Sequence, residues 1–296
     1  MPDPFVSIIV PTYCRPVPLT ACLRSLASLD YPRERYEILV VDDGSGDPPY
    51  GALAAVGGEI EVTLLAEEHR GPAAARNAGL AHARGELLAF LDDDCTATPG
   101  WLRAFADSFC AVPDRLLGGR TINALPGNLY SSASQLLIDY LYVHHNADPF
   151  DARFFASNNL AAPAELLRRS GAFDATFPLS AAEDRELCIR WRRLGHRLTF
   201  LPDAEVHHHH DLTFRRFWRQ HFTYGRGARR LRALLARQGS DPIPLEPLVF
   251  YLRLLRQAHT LRAGASRRLA LTGLLALSQL ANAVGFAAER SRGEAA

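Results

Sequence analysis

Three consecutive carboxylates, Asp92, Asp93 and Asp94, close the apolar run Leu87–Leu91. Like charges this close repel unless something cationic sits among them. A hard divalent ion takes carboxylate oxygens and bridges them to an anionic ligand. If the strand continues through the acids, Asp92 and Asp94 point one way and Asp93 the other. The competing reading is a solvated acidic turn. A second acidic pair, Glu183-Asp184, sits near the start of Ser180–Arg193. Ser180 and Glu183 have capping-box spacing, and acids in a first helical turn suit the helix dipole. The run His207–His210 offers imidazoles, common ligands of borderline metals, although a polar turn explains it too. Ser157, Asn158 and Asn159 could hydrogen-bond a sugar or a phosphate, but such residues also populate ordinary turns.

The elements that would carry these groups alternate. Val6–Val10 reads as a buried strand stopped by Pro11, and Tyr36–Val41 as a second strand running into Asp42-Asp43-Gly44-Ser45. Glu61–Leu65 and Leu87–Leu91 are the third and fourth strands, with Leu116–Gly118 a short fifth. Between them Pro18–Leu29, Pro49–Val56, Gly71–Ala83 and Trp101–Cys110 carry helical patterns. Such alternation predicts a doubly wound, mostly parallel sheet with right-handed crossovers. Ligands bind such sheets at the carboxyl ends of the strands, where Pro11-Thr12-Tyr13, Asp42-Asp43 and Asp92–Asp94 all fall. No Gly-x-Gly-x-x-Gly follows the first strand, which speaks against a dinucleotide site.

The chain has 296 residues, enough for one large domain with appendages. Its five cysteines are odd in number and lack Cys-x-x-Cys spacing, as expected of reduced thiols in the cytoplasm. The N-terminus enters a strand almost at once, so no signal peptide is expected. The net charge of +1 hides an asymmetry. Residues 1–210 hold 18 Arg against 27 acids, whereas residues 211–268 hold 13 Arg against 3. Every fixed cation is a guanidinium, suited to forked contact with phosphate or carboxylate.

Four motifs in order, Ser7-Ile-Ile-Val-Pro-Thr-Tyr13, Val40-Val-Asp-Asp-Gly-Ser45, Gly71-Pro-Ala-Ala-Ala-Arg-Asn-Ala-Gly79 and Phe90-Leu-Asp-Asp-Asp94, give the chain its resemblance to a known family. Over roughly residues 5–225 it resembles the family 2 inverting glycosyltransferases of GT-A fold. The resemblance implies transfer of a sugar from a nucleotide-diphosphate sugar, a UDP-sugar favoured, to a hydroxyl of a saccharide or lipid-linked acceptor. Cell-surface polysaccharide or glycolipid synthesis is the implied setting. Pro11 and Tyr13 would line the nucleotide site, with Tyr13 stacked near the base and Asp43 accepting the base imide hydrogen. Arg76 would contact the nucleotide, and Asp92 and Asp93 would lie near ribose and sugar. Asp94, with Asp92, would hold Mn2+ or Mg2+. A histidine after Val206 would join them; His208 stands first in line, His210 next, and His207 remains open. Asp184 would be the catalytic base supported by Glu183, and Ser157, Asn158 and Asn159 would face the acceptor.

On this reading residues 1–225 form the GT-A domain, with 1–120 the nucleotide-binding half and 121–225 the acceptor half. Residues 226–296 form a basic and apolar helical extension. Thr213–Gly227 interleaves aromatics with arginines, as an interfacial helix does. Leu269–Ala288 is long enough to span a bilayer, but Thr272, Ser278, Gln279 and Asn282 interrupt it. Peripheral contact with the cytoplasmic face of the cell membrane is expected, and no nucleic acid. Two other classes compete: a sugar nucleotidyltransferase, which usually carries a Gly-rich loop absent from Pro11–Arg15, and a non-catalytic, membrane-tethered module binding nucleotide sugars.

Overall fold

A computed structural model describes residues 3–58, 60–177, 181–239, 243, 244 and 246–293. By contacts the chain divides into two compact units. The first comprises Met1–Ala124, His145–Pro178 and Glu183–His209. The second comprises Leu125–His144, Leu179–Ala182 and His210–Ala296.

The first unit is built on one eight-stranded sheet. Its strands are β1 (Val6–Thr12), β2 (Tyr36–Asp42), β3 (Val62–Ala66), β4 (Leu87–Leu91), β5 (Cys95–Ala97), β6 (Leu116–Asn123), β7 (Asn159–Pro163) and β8 (Leu198–His208). They lie in the order β3-β2-β1-β4-β7-β6-β8-β5. The quartet β3-β2-β1-β4 is parallel throughout; β1, β2 and β4 are buried almost along their whole length, as parallel strands are, while the edge strand β3 is only partly covered. β6 and β8 are parallel as well, but β7 enters antiparallel to both its neighbours, and β5 pairs antiparallel with β8. The fold is thus the expected α/β class, with antiparallel pairings added where the chain returns from the middle region.

Helices α1 (Pro16–Ala27), α2 (Tyr50–Ala54), α3 (Pro72–His82), α4 (Trp101–Ala111), α5 (Leu129–His145), α6 (Ala164–Arg169) and α7 (Glu183–Arg193) follow in chain order. α1 buries Leu19, Cys22, Leu23 and Leu26, one stripe at helical spacing, in the core that also holds Ile8, Val10, Ala89, Leu91 and Trp101. α3 lies unusually close to β1: a Cβ at Gly79 would stand 2.6 Å from Ile9 Cγ2, so only glycine permits the approach. That contact fixes Arg76, one turn earlier, against the carboxyl end of β4.

Two local expectations change. Pro11 does not stop β1, which runs on to Thr12. By Pro11 the ladder to β4 has already ended at Ile9–Phe90, so a residue without an N–H breaks nothing on that side. The acids 92–94 do not continue β4 but form the turn into β5, with Cys95 N–H donating to Asp92 O at 3.0 Å. Strand alternation therefore does not govern them. Ser180, the expected cap, lies outside the described residues, and α7 begins at Glu183.

The second unit is helical, with most of α5, then α8 (Phe214–Arg237), α9 (Leu248–Thr260) and α10 (Ala265–Gly293). α8 is one continuous helix through residue 225. Leu137, Tyr140, Phe217, Phe250, Leu254, Leu271 and Leu275 form its core. Glu289 ties α10 to α8 by ion pairs with Arg226, at 2.6 Å, and with Arg230.

Candidate active site

The acid turn at the end of β4 is neutralised from two sides. Arg76 is 1% exposed and carries its guanidinium between Asp92 Oδ1, at 2.7 Å, and Glu183 Oε1, at 3.3 Å. Burial opposes its charge, but Asp92 and Glu183 outweigh that and raise its pKa. Arg76 Nε and Glu183 Oε2 are nevertheless buried without a hydrogen-bond partner. On the other side Arg15, at the N-terminal end of α1, reaches Asp93 Oδ1 at 2.9 Å and Asp94 Oδ2 at 2.6 Å. Thr12 Oγ donates to Asp93 Oδ2 at 2.7 Å. The turn thus sends Asp93 and Asp94 to one cation and Asp92 to another, unlike the alternation expected of a strand.

The two buried neighbours titrate apart. Burial pushes Asp93 up to about 7, against Arg15 and Thr12. Burial also opposes ionisation of Asp94, but His208 and Arg15 hold it well below the usual carboxylate range. His208 is delivered by strand pairing: β5 and β8 set Cys95 opposite His208, which brings its Nε2 to 3.2 Å from Asp94 Oδ1. Its burial lowers its pKa, but Asp94 more than compensates and the net shift is upward. The rings of His207 and His209 have other partners. His207 faces Glu205 at 3.6 Å, the His209 ring meets Thr96 Oγ at 3.2 Å, and the His210 carbonyl accepts from Ser131 Oγ.

Asp94, Cys95 and His208 hold ligand-type atoms within 4.8 Å of one another. Cys95 is wholly buried and burial pushes its thiol far up, so it stays protonated. The usable donors are one carboxylate and one imidazole, an oxygen and nitrogen set that fits Mn2+ or Mg2+ completed by ligand oxygens.

A second cluster lies at the end of β2. Asp42 accepts from Ser45 N–H at 3.2 Å and from Ser45 Oγ at 2.5 Å, closing the Asp-Gly-Ser turn. Asp43 accepts from Arg70 N–H at 2.9 Å and Gly71 N–H at 3.0 Å, a wrap that the left-handed φ of +91° at Gly71 permits. His69 Nδ1 stands 2.9 Å from Asp43 Oδ2, and its ring stacks on Tyr13 with centroids 4.2 Å apart. Tyr13 is 45% exposed, whereas Pro11 is buried in β1.

Glu183 and Asp184 occupy the first turn of α7. Asp184 is half-buried and accepts from Arg185 N–H at 2.7 Å. Burial raises its pKa against that bond, against Arg76 and against the Ser157 N–H. Glu183 is pushed up by burial and then by Asp184. Arg190 holds the helix in place, forked onto Glu186 and onto the carbonyls of Ser170 and Ala172. Among the residues expected at the acceptor, Ser157 therefore meets Asp184 through its backbone. Asn158 donates to Thr121 Oγ at 3.5 Å and to Cys95 Sγ, while its Oδ1 is buried without a partner. Asn159 is consumed by the fold: its carbonyl accepts from Trp101 Nε1 at 2.8 Å and its amide donates to the Arg120 and Ala204 carbonyls.

Arg15 and His69 were given no role in the sequence reading, and Thr12 appeared there only within the cluster Pro11-Thr12-Tyr13. Arg15 had one signal, as the lone cation between the first strand and the first helix. His69 had none, and Thr12 had its place at a strand end but not its partner; those partners lie 26 and 81 residues away.

A mixed sheet whose parallel quartet carries Asp42, Asp43 and Asp92–Asp94 at its carboxyl edge is the arrangement expected of a GT-A domain. The sequence profile of Glycosyl transferase family 2 matches residues 7–170, more than half of the chain, and the chain belongs to that family. Pre-mycofactocin glycosyltransferase of Mycobacterium tuberculosis is 29% identical over 228 residues, 75% of this chain and 46% of that protein. Glycosyltransferase AglE of Haloferax volcanii is 36% identical over 119 residues, 39% of each chain. The chain spans about half the length of the curated relatives it matches. The fold is shared with the mannosyltransferase PcManGT from Pyrobaculum calidifontis, solved with GDP-Man and Mn2+, at a TM-score of 0.62 and 23% identity over 99% of this chain and 80% of that one. S. aureus TarS 1–349, solved with UDP, gives 0.54 and 18% over 98% and 92%.

Removing the guanidinium from Arg76 strands Asp92 and Glu183. Arg76→Ala is expected to lower stability by about 3–5 kcal/mol in urea denaturation. Arg76→Lys, which keeps the charge but not the fork, should recover only part of it.

Proposed function

We propose that the protein is an inverting, metal-dependent glycosyltransferase with Asp184 as general base. The observation that carries this reading is the Asp92–Arg76–Glu183 bridge, which joins the acid turn after β4 to the start of α7. Asp184 adjoins that bridge and lies within the field of Arg76. An inverting displacement needs that pairing: a leaving diphosphate held at one end, a base on the acceptor at the other. The acceptor oxygen bonds the anomeric carbon as the bond to the diphosphate oxygen breaks, and Asp184 takes the hydroxyl proton. Glu183, held by Arg76, orients the pair. Asp94 and His208, with Asp92 close by, would hold Mn2+ or Mg2+. The bound ion would neutralise charge on the departing diphosphate.

Tyr13 and Asp43 form the base end, with Tyr13 offering a stacking face and Asp43 a carboxylate for an imide-type N–H. Uracil and guanine both present such an edge. The related structures named above hold GDP-Man and UDP, and a UDP-sugar is the first donor to test. The acceptor is a saccharide or lipid-linked hydroxyl and the product a cell-surface polysaccharide or glycolipid.

The extension supports peripheral membrane contact. The most apolar 18-residue window of Ala265–Glu289 has a mean hydropathy of 1.5 and is 28% buried, and Leu269, Leu280 and Val284 are exposed along it. Exposed Leu248, Val249 and Leu252 share one face of α9 with Arg253 and Arg256. Apolar residues rimmed by arginines suit an anionic bilayer surface, here the cytoplasmic face of the cell membrane.

Asp184→Asn should lower kcat by about 10²–10⁴-fold while nucleotide binding, followed calorimetrically, is unchanged; near-normal turnover would remove Asp184 from the role. Because the base must be ionised and burial raises its pKa, kcat should fall as pH is lowered, with a midpoint above the ordinary carboxylate range. His208→Ala should weaken Mn2+ binding at least about tenfold, read from the electron paramagnetic resonance of free Mn2+. The full chain should co-sediment with phosphatidylglycerol vesicles in low salt, less so in high salt, and not with phosphatidylcholine vesicles.

A further inference from the structure

We infer that His69 is an internal competitor for the nucleobase, seated by the same two contacts that the base must make; this rests on the reading of Tyr13 and Asp43 as the base end of the site. The imidazole lies on the Tyr13 ring at a centroid distance of 4.2 Å and an interplanar angle of 22°, a stacked pair. Its Nδ1 stands 2.9 Å from Asp43 Oδ2 and 3.0 Å from Asp43 O. Both neighbours are acceptors, so Nδ1 carries the hydrogen. The ring therefore presents to Tyr13 and Asp43 a flat aromatic face and one edge N–H, the features of uracil N3–H or guanine N1–H.

The surroundings leave little room for both rings on Asp43. The carboxylate is 5% exposed, and its remaining bonds come from Arg70 N–H and Gly71 N–H, the two residues that follow His69. A base bonding this carboxylate must take the place of the imidazole. The backbone at His69 packs closely on Gly44, where a Cβ would stand 2.6 Å from His69 N. The His69 side chain is 55% exposed, so it can swing out by rotation of its own torsions without opening the core. Nucleotide binding is then an exchange in which one stacked N–H ring replaces another. A site whose competent arrangement is only part of the population binds with an affinity reduced by that fraction. Stacking and one exposed hydrogen bond are modest contacts, so that reduction is about three- to tenfold.

Titration calorimetry of UDP and of GDP with the full chain tests the inference. His69→Ala is expected to bind the nucleotide about three- to tenfold tighter than the wild type. His69→Phe, which keeps a ring for Tyr13 but has no N–H for Asp43, should fall between them. Equal or weaker binding by His69→Ala overturns the inference and makes His69 either a bystander or a clamp on the bound base. Tyr13→Ala and Asp43→Asn separate the two claims. If both weaken binding while His69→Ala does not tighten it, only the role of His69 fails. If neither affects binding, or if neither nucleotide binds any variant, the base end itself is misplaced and His69 goes with it.

Discussion

The structure of the site depends on one buried guanidinium. Asp92 and Glu183 are 91 residues apart in the chain, and what holds them to each other is Arg76. A buried ion of this kind is costly to desolvate and is tolerated only when its charge is matched and its geometry good. Two carboxylates on one cation overmatch the charge, and the fork of the guanidinium lets it face both at once, which an ammonium could do only as a point. The cation is itself positioned by packing, because α3 can lie against β1 only where Gly79 has no side chain. A methyl group missing from a helix is thus a condition for an ion pair one turn away.

Counted together, the acids outnumber the cations. Asp92, Asp93, Asp94, Glu183 and Asp184 gather around Arg15, Arg76 and His208. The imbalance shows in the titration: Asp93, Glu183 and Asp184 are all shifted upward, each first by burial, while Asp94 alone is pulled down by its two cations. Divergent pKa values in adjacent carboxylates are what a site with distinct acid, base and ligand roles requires. Two of the three non-glycine residues with positive φ among the described residues adjoin site residues in the chain. Cys14, between Tyr13 and Arg15, has a φ of +52°, and Ala182, just before Glu183, has +75°, conformations that cost a non-glycine residue about 1–2 kcal/mol each. Such strain persists where the surrounding structure over-determines it.

Much of this could be read from the sequence, and the parts that could not share a cause. Buried strands announced themselves as short apolar runs: Leu87–Leu91 has the bounds read from it, and Tyr36–Val41 gains only Asp42. The acids stood out because a sheet interior has no use for three in a row. Their directions did not, since alternation applies to a strand and 92–94 turn out to be a turn. Within the histidine run the order of preference could be stated, but what distinguishes His208 is the pairing of β5 with β8, a contact over more than a hundred residues. Asn159 looked like a sugar donor for the same reason that it is a good structural residue: an amide can bond a sugar or a Trp indole and two carbonyls equally well, and only burial decides between them.

The polar groups of the first unit lie in a pattern that local rules do not explain. Arg15 brings to Asp93 and Asp94 a positive charge with two forked contacts, and His69 brings to Tyr13 and Asp43 a flat ring with one N–H. Both side chains are about half exposed, at 43% and 55%, and both leave the sheet edge rather than the core. Their partners are buried carboxylates, Asp93 and Asp94 at 4% and 6% and Asp43 at 7%, so each contact has one deep and one shallow side. A fold that needed these contacts to stand would have buried them, as it buried Arg76. Side chains that satisfy the chemistry of a cleft while holding it weakly can yield to a ligand of like chemistry without disturbing the scaffold beneath. Depth of burial thus separates the guanidinium enclosed between Asp92 and Glu183 from the two half-exposed side chains at the sheet edge.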